Sequence, residues 1–269
     1  MDFELAEISA RFLAEGISQG YKRGIKDVVK KNKNVKVAGF AKSPLVSTDF
    51  TTEDEAAIAA FQKECFEVAG VGQYKLEEKL KSIAVDAWKN EHDFKWFEAE
   101  ARKVMLDYIP FEDQAPSGYL ETNFNTAVNS SYTAAKYNRL QDPDVKDLYP
   151  AYQYFTQNDD RVREEHALLH ELVFANDDPV WDVIMPPNGW NCRCYFIPLD
   201  QDEAAGADIE SDLRTEEDMN AIKETVDPDF RRNAAKDKSI FDKWLKQEYK
   251  DMPKDIVKKI KSEAKDFEL

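Results

Sequence analysis

Two cysteines one residue apart, Cys192 and Cys194, flank Arg193 near the end of the segment VWDVIMPPNGWNCRCYFIP. Upstream, His166 and His170 stand four apart in DDRVREEHALLHELVF. A helix over 160–172 would place both imidazoles on one face. A strand over 192–199 would turn both thiols to one side and Arg193 to the other. An H-x3-H pair and a C-x-C pair could then surround zinc tetrahedrally. The spacing argues against this, because paired cysteines of structural zinc sites are usually two to four residues apart. The competing reading is a compact knot without metal or other cofactor. In it the thiols are small buried groups and Arg193 bonds acids or carbonyls of the neighbouring loop. A nucleophilic pair of Cys192 or Cys194 with His166 has only Arg193 to activate the thiolate.

The residues before the cysteines look built to hold a shape. Pro186 and Pro187 disfavour helix in the approach. Trp181 and Trp190 offer large apolar faces, and Asn191 suits a turn. Catalytic templates are otherwise absent: the chain has no G-x-S-x-G, P-loop, G-x-G-x-x-G or H-E-x-x-H. Cys65 lies on an apolar helical stripe with Ile58, Phe61 and Val68, so it reads as a core residue.

The elements that must position this segment follow from periodicity. Leu5, Ile8, Phe12, Leu13, Ile17, Tyr21, Ile25 and Val28 predict a first amphipathic helix, ending in a basic run. An extended linker or short strand follows over 33–50. Thr52 and Glu55 fit a capping box, and Gly70 is placed to end the helix they begin. Further helices are expected over 73–90 and from Phe94 to Tyr108, with His92 in the polar break, then a loop over 109–118. Residues 119–140 are rich in Asn, Ser, Thr and Ala. Such a helix packs closely on a neighbour or donates hydrogen bonds from an inner face. A strand over 152–156 ends at the turn formers Asn158 and Asp159. The acidic stretch from Leu199 to Asp212 reads as a linker to a charged tail with helices near 215–225, 239–251 and 254–266.

The whole chain bounds the function. It has 269 residues, 42% of them apolar, and a formal net charge of −16. That size allows one large domain or two smaller ones. The charge disfavours a protein that wraps duplex DNA. No apolar run of 18 residues predicts a membrane span. The amphipathic, acidic N-terminus lacks the regions of a secretory signal. Three cysteines, two of them too close for an easy bridge, fit a reducing compartment.

The order ETNFNTAVNSSYTAAKYNRL, YQYFTQNDDRVREEHALLHELVF, DDPVWDVIMPPNGWNCRCYFIPL resembles the phage Mu F-like head-morphogenesis proteins of tailed bacteriophages and prophages. The sharpest matches are Asn191, Cys192, Arg193 and Cys194, then Asp160, Arg161, Val162, Arg163 and His166; the stretch covered is about 120–200. Where the family usually has glycine shortly after the histidine, this chain has Glu171. The resemblance implies an α+β protein. A helical N-terminal region (1–112) and a charged helical tail (201–269) would flank a compact core (113–200), distantly related to the ADP-ribosyltransferase fold. It also implies a minor capsid protein of the virion, assembled in the host cytoplasm. Its partners would be portal protein, major capsid protein, other head components and packaged DNA, with no membrane. The alternative it opens is an NAD-using ADP-ribosyltransferase or toxin-like effector, with Arg161 or Arg163 and a glutamate as cofactor contacts.

Overall fold

The computed structural model describes residues 4–32, 49–108, 118–210 and 215–267. Most of the expected 33–50 linker and of the 109–118 loop lies outside the described residues, as do the side chains of Leu5 and Phe12. The helices are α1 (Glu4–Asn32), α2 (Thr52–Lys89), α3 (Phe94–Met105), α4 (Gly118–Leu140), α5 (Pro143–Lys146), α6 (Glu164–Ala167), α7 (Trp181–Ile184), α8 (Gln201–Ala205), α9 (Glu216–Glu224), α10 (Ala234–Asp237), α11 (Asp242–Glu248) and α12 (Lys254–Glu263). The strands are β1 (Ala151–Phe155), β2 (Val173–Ala175) and β3 (Tyr195–Leu199), in one sheet of order β2-β1-β3. Both pairings are antiparallel. The class is α+β, as the sequence predicts.

The chain divides into two compact units. One comprises Met1–Gly16, Gln62–Asn125 and Phe241–Leu269; the other comprises Ile17–Phe61 and Thr126–Ile240. In the first, Cys65, Phe66, Val68, Val71 and Leu76 of α2 are buried. Gly70 does not end the helix, which runs on to Lys89. Glycine is needed there for packing: a Cβ on Gly70 would lie 3.0 Å from Ile260 of α12, and one on Gly72 would lie 2.8 Å from the Tyr119 ring. The Tyr119 hydroxyl donates to the Val68 carbonyl at 3.0 Å. Residues of the charged tail are integral here. The Tyr249 hydroxyl donates to Glu67 at 2.7 Å, Lys75 pairs with Glu248 at 2.7 Å, and the Phe241 N–H donates to Glu64 at 3.0 Å.

In the second unit α1 and α4 lie against each other backbone to backbone. A Cβ on Gly20 would come within 2.4 Å of the Val128 carbonyl oxygen, and one on Gly24 within 2.2 Å of the Tyr132 carbonyl oxygen. The small residues of α4 thus serve the close approach their composition predicts. Ile17, Tyr21, Ile25 and Val28 of α1 are buried in this unit, so this stretch is core and not a free arm. At the start of α2 the capping box forms one residue earlier than expected. The Thr51 N–H donates to Asp54 at 2.7 Å, and the Asp54 N–H donates to the Thr51 hydroxyl at 3.2 Å. The register shifts because Asp54 has other buried partners: the Tyr21 hydroxyl at 2.8 Å and the Arg139 guanidinium at 2.6 Å.

One face of the sheet carries Tyr152, Tyr154, Phe174 and Phe196, all fully buried, and Trp181 packs on three of them. On the other, Ala151, Val173, Leu199 and Ala204 form a small apolar cluster. The acidic stretch after Pro198 is therefore not a linker over its described part, 199–210. Asp200 and Glu203 form a capping box for α8, Glu203 pairs with Lys31 at 2.7 Å, and Ile209 bridges to Val173.

Lys136 of α4 is buried and donates to the Phe196 carbonyl at 2.8 Å, with Asp27 4.0 Å away. Burial lowers its ammonium to about 8, against the pull of Asp27 and helped by Lys31.

Two outcomes follow. Gly20→Ala must push the two helices apart, so it should destabilise by about 2 kcal/mol or more in urea melts. Gly206→Ala, whose Cβ would meet nothing closer than 3.8 Å, serves as the control. For Lys136, the unfolded chain holds a proton between pH 8 and about 10.5 that the folded chain has released, so stability rises with pH across that window. Relative to Lys136→Met, the native chain should gain up to about 3 kcal/mol there. A flat difference between the two proteins would contradict the buried amine.

Candidate functional site

The chemistry-bearing residues gather at the end of the second unit's sheet, and the elements that bring them there are short. The expected helix over 160–172 is one turn, α6, because the chain must turn at Leu169–Leu172 to enter β2. His166 and His170 therefore do not share a helix face. His166 is buried; His170 faces the end of β1, where its Nδ1 accepts the Thr156 N–H at 3.1 Å. The expected strand over 192–199 begins only at Tyr195, so Cys192 and Cys194 lie in the turn before it.

That turn is pinned from several sides. Trp181 anchors its start, with the indole N–H donating to the Ala175 carbonyl at 2.9 Å. Pro186 and Pro187, joined by a cis peptide bond, are buried, and Asn188 donates to the Tyr154 hydroxyl at 3.0 Å. Trp190 meets Phe230 edge-on at 5.2 Å. Asn191 takes the left-handed conformation, with φ of 57°, which asparagine tolerates. Its N–H donates to the Thr126 hydroxyl at 3.1 Å, and Asn129 donates to the Cys192 carbonyl at 2.9 Å. Both partners lie on α4, on the polar inner face that its composition predicts.

The arginines act on backbone and carboxylate. Arg163 donates to the Trp190 carbonyl at 2.7 Å. Arg193 makes a two-pronged pair with Asp159 at 2.8 and 2.7 Å, and its carbonyl accepts from Gln157 at 3.0 Å. The acid that Arg193 bonds thus lies in the turn after β1 and not in the loop that leads into the cysteines. Asp159 and Gln157 had no signal beyond turn propensity. Beside Arg193, the Asp159 carboxyl drops to about 2. Asp160 and Arg161 are exposed; the Arg161 backbone N–H donates to the Asp159 carboxylate at 3.2 Å, while its guanidinium comes only to 3.9 Å.

Within this frame His166, Cys192 and Cys194 converge. The His166 Nδ1 lies 3.6 Å from Cys192 Sγ and 3.8 Å from Cys194 Sγ, and all three are buried. The Cys194 N–H points at Cys192 Sγ at 3.5 Å. Cys192 is held well below the ordinary thiol range, first by the Cys194 thiol and, against burial, by His166. Cys194 is pushed far above it, by the neighbouring sulfur first and burial second. A small pocket of about 20 Å³ opens beside the three, lined also by Gln157, Val162 and Arg163.

Residues 68–197 match the family described as Phage Mu protein F like protein. The putative capsid assembly protein F of Escherichia phage Mu is 45% identical over 80 residues, which are 30% of this chain and 18% of that protein. The Mu-like prophage FluMu F protein of Haemophilus influenzae is 31% identical over 125 residues, 45% of this chain and 30% of that protein. The chain thus spans less than a third of the length of either relative. No solved structure matches the fold. The resemblance expected from the motif order is shown, and it reaches upstream of 120, into α2 and α3.

Glu171, at the position where the resemblance expects glycine, has φ of 68°. Its N–H donates to the Tyr154 carbonyl at 2.8 Å and its carbonyl accepts from Gln153 at 2.9 Å, so the turn into β2 imposes this conformation. A left-handed residue with a Cβ costs about 1–2 kcal/mol, offset in part by the greater freedom that glycine loses on folding. Glu171→Gly should therefore stabilise the protein by about 0.5–1 kcal/mol in thermal or denaturant melts.

Proposed function

We propose that this chain is a minor head protein of a Mu-like phage or prophage, acting by protein–protein contact at the portal vertex during head assembly and DNA packaging or ejection. The observation that carries the reading is the family match over 68–197, which includes the Asn-Cys-Arg-Cys turn. The names of both relatives point the same way, one being a putative capsid assembly protein. The role is structural: the pinned turn spends its polar groups on backbone carbonyls and on Asp159. Among the described residues no helix is long and apolar enough to cross a membrane. Portal protein is the first partner to test, followed by major capsid protein.

Within the matched region, Trp88, Phe94 and Leu168 are the most exposed large apolar side chains, at 81, 75 and 71%. Exposed apolar groups of this size are where a partner gains most from burial. The full chain, co-expressed with portal and major capsid proteins, should co-sediment with assembled heads and be retained by immobilised portal protein. Serine at Trp88, Phe94 or Leu168 should weaken retention without lowering the melting temperature. Heads of normal composition that never contain the chain would overturn the assignment.

A further inference from the structure

The three converging side chains have a geometry that the knot reading does not need. In a tetrahedral site the distance between ligand atoms is about 1.6 times the bond length. With zinc–sulfur bonds near 2.3 Å and zinc–nitrogen bonds near 2.0–2.1 Å, sulfur and nitrogen ligands sit about 3.5–3.6 Å apart and two sulfurs about 3.8 Å apart. The His166 Nδ1 is 3.6 and 3.8 Å from the two sulfurs. All three ligand atoms fall within 4.8 Å of one another. We propose that His166, Cys192 and Cys194 form a three-ligand site for a thiophilic divalent cation of the zinc class, with the fourth position open to the adjacent pocket.

The surroundings fit that occupant. Ligating thiolates are held by outer hydrogen bonds. Here the Cys192 sulfur receives the Cys194 N–H at 3.5 Å. Both arginines are fixed elsewhere, Arg193 on Asp159 and Arg163 on the Trp190 carbonyl, so neither guanidinium fills the cation position. The pocket of about 20 Å³ has room for about one water, which suffices to complete a tetrahedron. One His and two Cys are a soft donor set that favours zinc over magnesium or calcium. A disulfide between the same cysteines would be strained by the single intervening residue, and both are free thiols. His170, engaged with Thr156, is not a ligand. The cation would join the one-turn α6 to the turn before β3, two pieces of chain with little regular structure of their own. This inference rests on side-chain geometry alone and stands or falls independently of the head-protein reading.

The test uses the full chain, reduced and freed of metal, then titrated with cobalt(II) and with zinc. One equivalent of cobalt should produce thiolate-to-metal charge-transfer absorption, and one equivalent of zinc should abolish it. Zinc should survive gel filtration at about one per chain, and a chelator should lower the melting temperature. Cys192→Ser, Cys194→Ser and His166→Asn should each weaken zinc binding by more than the roughly 100-fold that losing an outer hydrogen bond costs. His170→Ala and Cys65→Ser should bind as the native chain does. Should a ligand variant fail to fold, the cobalt spectrum of the native chain decides alone. No charge-transfer absorption from the native chain, or binding that is unchanged in Cys192→Ser and Cys194→Ser, would overturn the proposal.

Discussion

In the second unit, the contact on which the other elements depend is the backbone approach of α1 to α4 at Gly20 and Gly24. Only small groups lie between the helices there, the Ser131 hydroxyl and the Ala135 methyl, which restricts where α4 can sit along α1. From that position α4 uses its remaining faces. Arg139 reaches back to Asp54 at the start of α2, and Lys136 reaches the Phe196 carbonyl of β3. Thr126 and Asn129 hold the cysteine-bearing turn. A shift of α4 by a few tenths of an ångström would disturb all of these bonds together, since each depends on distances near 3 Å.

This arrangement explains how a turn with almost no regular structure can be well defined. Between α7 and β3 the chain is held by side chains from α4, from the end of β1, from α6 and from Phe230. Most of these bonds end on backbone carbonyls of the turn. They satisfy groups that a helix or sheet would otherwise pair. Burial of His166, Cys192 and Cys194 follows from the same pins and not from any local propensity of the three.

Much of this was legible in the sequence where one element determined one pattern. α4, β1, α9 and α12 appear close to where composition and periodicity place them, and Cys65 is the core residue its stripe implies. Sequence pattern and structure part where two partners compete for one residue. Gly70 looks like a helix stop, but the demand it answers is the approach of Ile260, far along the chain. Thr52 and Glu55 make a capping box as good as Thr51 and Asp54, and only the buried Tyr21 and Arg139 choose between them. The H-x3-H spacing suggested one helix, but β2 needs its residues too soon afterwards. The cysteine pair is explicit in the sequence. That a single histidine joins it depends on the fold of the intervening turn, which no spacing encodes.

The sheet has a property that bears on how the protein can meet other chains. Two of its three strands are edges, and an open edge is a template for adding a strand from any neighbour. Here β2 is only three residues long and carries the bridge from Val173 to Ile209. On the other side, Pro198 of β3 has no N–H to offer and the Phe196 carbonyl is taken by Lys136. Each border thus offers fewer backbone groups to a stray strand. Contact through side-chain surfaces can discriminate among neighbours, whereas an open strand edge would pair with almost any of them.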